Sequence, residues 1–125
     1  MKNIMTAHLA VKRVDEPVDA SDGFRVLVDR LWPRGLSKDK AHIDAWAKNL
    51  APSDALRHWF GHEPAKWVEF EQRYVAELQT HENARRAFEA ELVRHPRVTL
   101  LYAAHDEQHN NALALQIRQQ RKRAA

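Results

Sequence analysis

Cysteine is absent from the 125-residue chain, which removes disulfides, thiolate metal sites and a cysteine nucleophile together. Glycine is scarce as well. Three glycines leave no glycine-rich phosphate loop, and no Gly-x-Ser-x-Gly elbow occurs. No apolar run approaches the ~20 residues that a membrane-crossing helix requires. The opening stretch Met1–His8 lacks the apolar core of a signal peptide, so a cytoplasmic location is expected. A large excess of one charge is also missing. Lys and Arg number 20 against 17 acidic residues, a net charge of +3, which permits weak attraction to anions without pointing to nucleic acid.

What is present suffices for one ordinary core. The hydrophobic fraction is 44%, near the globular norm, and no internal repeat or low-complexity linker divides the chain. Residues 1–125 are therefore read as a single domain.

Two runs, His8–Val14 and Phe24–Asp29, contain β-branched residues between turn signals and are predicted as strands. Asp15–Gly23 between them has loop composition. Val98–Ala103 is a third strand, and its near-continuous apolarity predicts burial on both faces, as in a parallel sheet. The middle of the chain reads as helical. Ser37 is a plausible N-cap for a helix bearing Ile43, Trp46 and Leu50. Pro52-Ser53-Asp54 restarts the chain as a short helix through Leu56, Trp59 and Phe60, stopping at Gly61. Pro64 opens a helix whose stripe is Trp67, Phe70, Tyr74 and Leu78. Ala84, Phe88 and Leu92 form another stripe, ended by His95-Pro96. A last helix over Asn110–Arg121 presents Leu113 and Ile117. The order predicts a small layered single-domain α/β fold, with a short, mainly parallel sheet of about three strands flanked by helices. The first connection, about ten residues, lies at the lower limit for a parallel crossover, which leaves the relative orientation of the first two strands open.

Polar residues gather at two strand exits, where ligands commonly sit in open α/β sheets. The first is Asp29-Arg30-Leu31-Trp32-Pro33-Arg34-Gly35. Asp29 can orient an arginine, or act as a base if desolvation raises its pKa. Arg30 and Arg34 carry planar forks that match phosphate or carboxylate. The bland alternative, an ion pair that braces the loop, is equally natural. The second exit is Tyr102-Ala103-Ala104-His105-Asp106-Glu107, where His105 has the ordinary pKa for proton transfer near neutrality. Asn110 just beyond can cap the last helix or favour an anion at its start.

His105 and His109 are four residues apart, as are His58 and His62. Neither pair has an evident third ligand, and the His105 pair lacks the zincin glutamate. No metal and no cofactor is expected. The aromatic set Trp46, Trp59, Phe60, Trp67, Phe70, Tyr74 and Phe88 is read as core. The basic run Arg118–Arg123 is read as a solvated helix end.

With these residues in view, the chain resembles the YeaO-like family within the grouping known as domain of unknown function 488. The most specific stretch is Asp22-Gly23-Phe24-Arg25-Val26-Leu27-Val28-Asp29-Arg30-Leu31-Trp32-Pro33-Arg34-Gly35. Trp46, Ala51-Pro52-Ser53 with Leu56-Arg57, Phe70 with Tyr74, Glu77-Leu78, Thr99–Ala104 and Asn110 with Ala112 continue it over nearly the whole chain. The resemblance implies a small α/β domain with the arginine-rich turn as its signature, and implies no activity. In that family pattern a lysine stands where His105 stands here, which favours a shared need for a cation or donor. His109 has no counterpart in it, which counts against a metal.

The expectation is a pocket lined by Asp29, Arg30, Arg34, Tyr102, His105 and Asn110 for a small phosphorylated or carboxylated ligand. If chemistry follows binding, Asp29 or His105 handles the proton. A nucleic-acid-associated module using Arg25, Arg30, Arg34, Lys38, Lys40 and the basic tail is the alternative. A structural or protein-partner role is the third reading.

Overall fold

Five consecutive residues, Val98 to Tyr102, are each 3% exposed or less, as a strand covered on both faces must be. The computed structural model describes residues 8–124. This strand, β4 (Arg97–Tyr102), has neighbours on both sides. The sheet order is β1-β4-β2-β3, all pairs parallel, with β1 at His8–Arg13, β2 at Phe24–Leu27 and β3 at Ala45–Trp46. There are thus four strands where the sequence suggested about three. The open question of the first two strands is also resolved: they never touch, because Val98 of β4 lies between Leu9 and Phe24. The 14–23 connection needs no helix. It returns through a single 3-10 turn at Ala20–Asp22, capped by Asp19.

Alternation assigns the two faces of the sheet. Leu9, Val26, Val98, Leu100 and Tyr102 point into the main core. Against it pack α2 (Asp54–Phe60), α3 (Trp67–Gln79), α4 (Glu82–Arg94) and α5 (Asn111–Ala124), through Phe60, Phe70, Tyr74, Phe88, Leu92 and Leu115. Among the described residues, no helix is long and apolar enough to cross a membrane. On the opposite face, the C-terminal half holds Leu27 and Leu101 under Trp32, Leu36 and Ile43. Its N-terminal half is polar. Arg25, only 3% exposed, donates to Asp22 Oδ2 at 2.5 Å, to the Ala41 carbonyl at 3.1 Å and to the His42 carbonyl at 3.1 Å. Lys12 reaches Asp22 at 3.1 Å, and Thr99 Oγ1 donates to the Asp22 carbonyl at 2.7 Å. Burial pushes the Asp22 carboxyl up, but the Asp19 N–H, Lys12 and Arg25 outweigh it and hold the group below the usual carboxylate range.

Most predicted helices form where their stripes and caps place them. Ser53 Oγ accepts from the Leu56 N–H at 3.1 Å, and Gly61 closes α2 at φ 54°. The helix expected after Ser37 does not extend to Leu50. It is α1, four residues over Lys38–Ala41 with no side-chain cap from Ser37, and it ends where His42 turns left-handed at φ 48°. Trp46 lies on β3, and Leu50 ends a separate 3-10 turn over Lys48–Leu50. On α5 the buried side chains are Ala112, Ala114, Leu115 and Gln119, whereas Leu113 and Ile117 are half-buried. The described residues exclude Met1–Ala7, the greater part of the stretch read for a signal peptide, and the side chain of Arg123 in the basic tail.

Gly23 and Gly35 give a matched test of these constraints. Both have positive φ, 65° and 77°, but a Cβ at Gly23 would lie 2.4 Å from the Arg97 carbonyl oxygen, and one at Gly35 meets nothing within 4 Å. Gly35→Ala is expected to cost about 1–2 kcal/mol from conformation alone. Gly23→Ala adds a backbone clash between β2 and β4 and is expected to lose about 3 kcal/mol or more. Urea unfolding of the two variants ranks them.

Candidate anion-binding site

Where β2 leaves the sheet its backbone groups need new partners, and side chains from two other segments supply them. Val28 N–H still donates to the Leu101 carbonyl at 3.1 Å. The Val28 carbonyl then accepts from Asn111 Nδ2 at 2.9 Å, and the Asp29 carbonyl accepts from Trp46 Nε1 at 2.7 Å. The Asp29 carboxylate continues the ladder, taking the Ala103 N–H on Oδ2 at 2.9 Å. Burial pushes the Asp29 carboxyl above its ordinary value. The Ala103 N–H, the Asn111 amide and the charge of Arg57 only partly oppose this.

Beside this junction lies a cavity of about 620 Å³, within the ordinary range of small-molecule sites. The turn after β2 lines it with Asp29, Arg30, Trp32 and Arg34. The end of α2 and its C-cap contribute Arg57, His58, Phe60 and His62. Phe70 comes from α3, and Ala103, Ala104, His109, Asn110 and Asn111 come from the exit of β4. The aromatic floor is fixed by packing: Phe60 stacks on Phe70 at 4.5 Å between centroids. The α2–α3 contact beneath it is held by Ser53, whose N–H and Oγ donate to Glu77 at 2.8 and 2.5 Å.

Cations dominate the polar part of the wall. Arg57 Nη1 lies 2.8 Å from Asp54 Oδ1, and Arg30 Nε lies 3.8 Å from that same oxygen. Arg30 Nε also approaches the Pro52 carbonyl at 3.4 Å. Arg34 makes no hydrogen bond or ion pair among the described residues, although it lines the cavity. His62 follows Gly61 and is itself left-handed, at φ 57°, a backbone state that costs a non-glycine residue of order 1 kcal/mol. That bend turns the chain so that His62 joins the wall.

Of the six residues anticipated at the pocket, Asp29, Arg30, Arg34 and Asn110 line the cavity, and Tyr102 and His105 do not. Tyr102 follows the strand alternation into the main core beside Leu100, at 3% exposure. His105 is exposed on the β1 side, its Nδ1 3.1 Å from Arg13 Nη2, while Arg13 Nε donates to the Ala104 carbonyl. Both ends of the Asn110 amide are engaged: Oδ1 accepts from Leu113 N–H at 2.8 Å as the cap of α5, and Nδ2 donates to the Asp106 carbonyl at 3.0 Å. Arg57, His58, His62 and His109 were not foreseen as pocket residues. The sequence offered Arg57 only through the family resemblance, and the histidines only as discarded metal pairs. Arg25, one of the cations needed by a nucleic-acid surface, is buried in its ion pair with Asp22.

Comparison with known proteins gives a consistent result. Residues 8–124 match a family profile described as the inactive DUF488-N3 subclade. The chain is 41% identical over 108 residues to the uncharacterized protein YeaO of Escherichia coli K12, covering 86% of this chain and 93% of that one. It is 44% identical over 81 residues to the uncharacterized protein Rv3073c of Mycobacterium tuberculosis, and equally to Mb3100c of Mycobacterium bovis, covering 65% of this chain and 67% of each relative. No solved structure matches. A profile that spans the described chain, together with identity at this level over nearly all of a relative, establishes kinship: the chain belongs to the YeaO-like DUF488 family.

Proposed function

We propose that the chain binds a small phosphorylated or carboxylated molecule of the cytoplasm in this cavity, with Arg30, Arg34 and Arg57 holding its negative charge. One observation carries the reading: three guanidiniums, Arg30, Arg34 and Arg57, line the cavity with one carboxyl, Asp29, while Asp54 outside the wall reaches two of them and Arg34 has no hydrogen-bond or ion-pair partner among the described residues. A wall with surplus fixed cations and an apolar floor suits an anion with an apolar body. Trp32, Phe60 and Phe70 form that floor. The description of the subclade as inactive accords with binding in preference to turnover.

Binding to the folded state stabilises it by mass action, by about 2.7 kcal/mol at a hundredfold excess over Kd, and so raises the melting temperature. A thermal-shift screen of phosphorylated and carboxylated metabolites is expected to give hits with the wild type that Arg34→Ala loses. Because Arg34 is exposed and unpaired, that variant should fold as the wild type does. Equal shifts in both proteins would sink the reading.

Asp29 makes a prediction about pH. Its folded-state pKa lies above the ordinary value, so between the unfolded and folded values the folded state binds more protons. Stability therefore falls as pH rises through that window. Asp29→Asn keeps an acceptor for the Ala103 N–H and removes the buried charge. The variant is expected to match or exceed wild-type stability at pH 7, with its relative advantage shrinking towards pH 4 in urea titrations.

A further inference from the structure

The His109 ring on the cavity wall is held by protein contacts on two sides, and it supports an inference that rests on the anion-binding reading and names the ligand's class. His109 Nδ1 lies 2.9 Å from Asp106 Oδ2. The other oxygen, Asp106 Oδ1, accepts from the Gln108 and His109 backbone N–H groups at 2.9 and 3.1 Å. One oxygen therefore fixes the turn and the other fixes the ring. The Gln108 N–H and the His109 ring hold the Asp106 carboxyl below its ordinary range, so it stays ionised and can only accept. Nδ1 must then carry a hydrogen, and Nε2 is left without a protein partner. From the α3 side, the Trp67 ring holds the imidazole edge-on at 5.4 Å.

We propose that His109 is a ligand-binding residue whose Nε2 engages a terminal oxygen of a phosphate monoester, and that Asp106 is its positioning residue. The argument is geometric. Donors reach the cavity from three chain segments: Arg30 and Arg34 from the turn after β2, Arg57 from α2, and His109 from the loop before α5. A carboxylate carries one charge and accepts close to a single plane. A phosphate monoester presents three terminal oxygens in tetrahedral directions and up to two charges. Several cations arriving from three segments match the charge and the tetrahedral spread of the second anion better than the single plane and single charge of the first. With the Nδ1 hydrogen committed to Asp106, a further proton on the ring can sit only on Nε2, where it makes the donor that a phosphate oxygen accepts.

Calorimetric titration of the full chain with phenyl phosphate, benzoate and inorganic sulfate tests this. The wild type is expected to bind phenyl phosphate about ten-fold or more tightly than benzoate, a difference of roughly 1.4 kcal/mol. His109→Leu, which keeps an apolar group against Trp67, should remove that preference by weakening phenyl phosphate more than benzoate. Sulfate does not titrate in this range, so its pH profile reports the protein alone. The other titratable groups on the cavity wall are Asp29 from the β2 exit and His58 and His62 from the end of α2. Wild-type affinity for sulfate should fall as the imidazolium is lost, and this step should be absent in His109→Leu. Asp106→Asn retains an oxygen for the turn but presents an amide donor to Nδ1, so the ring loses its fixed orientation and the preference for phenyl phosphate should weaken while the fold persists by circular dichroism. A pH step that survives in His109→Leu belongs to His58 or His62 and overturns the proposal. So does an unchanged preference for phosphate over benzoate. Failure of the wild type to bind any of the three probes overturns the anion-binding reading itself.

Discussion

The hydrogen bond from the Ala103 N–H to Asp29 Oδ2, 2.9 Å long, is the contact from which the candidate site is built. β2 and β4 run parallel and in register as far as Leu27 and Leu101. Beyond that point β2 must bend away if any space is to open between the strand ends. A bend would orphan the next N–H of β4, and an orphaned buried donor costs about 1–3 kcal/mol. The carboxylate fills the role that a backbone carbonyl would have had, so the strands part without leaving a vacancy in the ladder. Trp46 and Asn111 do the same for the two carbonyls of Val28 and Asp29. The turn that follows, from Arg30 to Arg34, is thereby held at the edge of the opening. The requirement runs the other way as well: a carboxylate used so is half-buried, which is why its pKa lies above the ordinary value.

A second constraint acts on the opposite face of the sheet. Parallel sheets ordinarily carry helices on both faces, but here α2 to α5 all pack on one. The other is covered by loop and a four-residue helix, and loop backbone brings carbonyls that need donors. Arg25 supplies them to Ala41 and His42 while pairing with Asp22. A buried ion pair of this kind is weak evidence for net stability, yet removing one partner leaves an uncompensated charge and typically costs 3–5 kcal/mol. Arg25 and Asp22 thus hold down a cover too thin to be held by apolar burial alone. They lie at the N-terminal half of the sheet, away from the strand exits and the cavity.

Much of this was legible in the sequence, and the exceptions have physical reasons. β4 announced itself because a strand buried on both faces must be apolar throughout. The α2 and α3 stripes were readable because each helix packs a single face on the core. β3 was hidden. It has two residues, Ala45 and Trp46, and Ile43, Trp46 and Leu50 mimic helical spacing while facing three different environments: the second sheet face, the surface and the main core. The break that separates them is the left-handed His42, where no glycine or proline marks the spot. At the site, the strand exits pointed to Asp29, Arg30 and Arg34, which line the cavity. The same logic pointed to Tyr102 and His105, which lie outside this cavity, because a position near an exit does not say to which side of the strand a residue turns. Arg57, His58 and His62 come from a segment more than twenty residues away in sequence, and only tertiary packing of α2 against the strand ends brings them in.

The local electrostatics of α2 bear on how the cations should be weighed. Arg57 and His58 occupy the last turn of this helix, where the exposed carbonyl ends favour positive charge by about 0.3–1 kcal/mol. Arg57 also pairs with Asp54 within the same helix. Those two residues would be well placed in a protein that bound nothing, so their presence alone argues little for a ligand. Arg30 is intermediate, with the Pro52 carbonyl and the Asp54 carboxylate at the limit of contact. Arg34 differs from all of them. It follows Pro33 and precedes Gly35 in a turn with no helix end behind it, and no carboxylate or carbonyl satisfies its five donors. Local folding does not require a guanidinium there. An anion arriving from solution is what would give it a partner, and the weight of the functional reading therefore falls on Arg34.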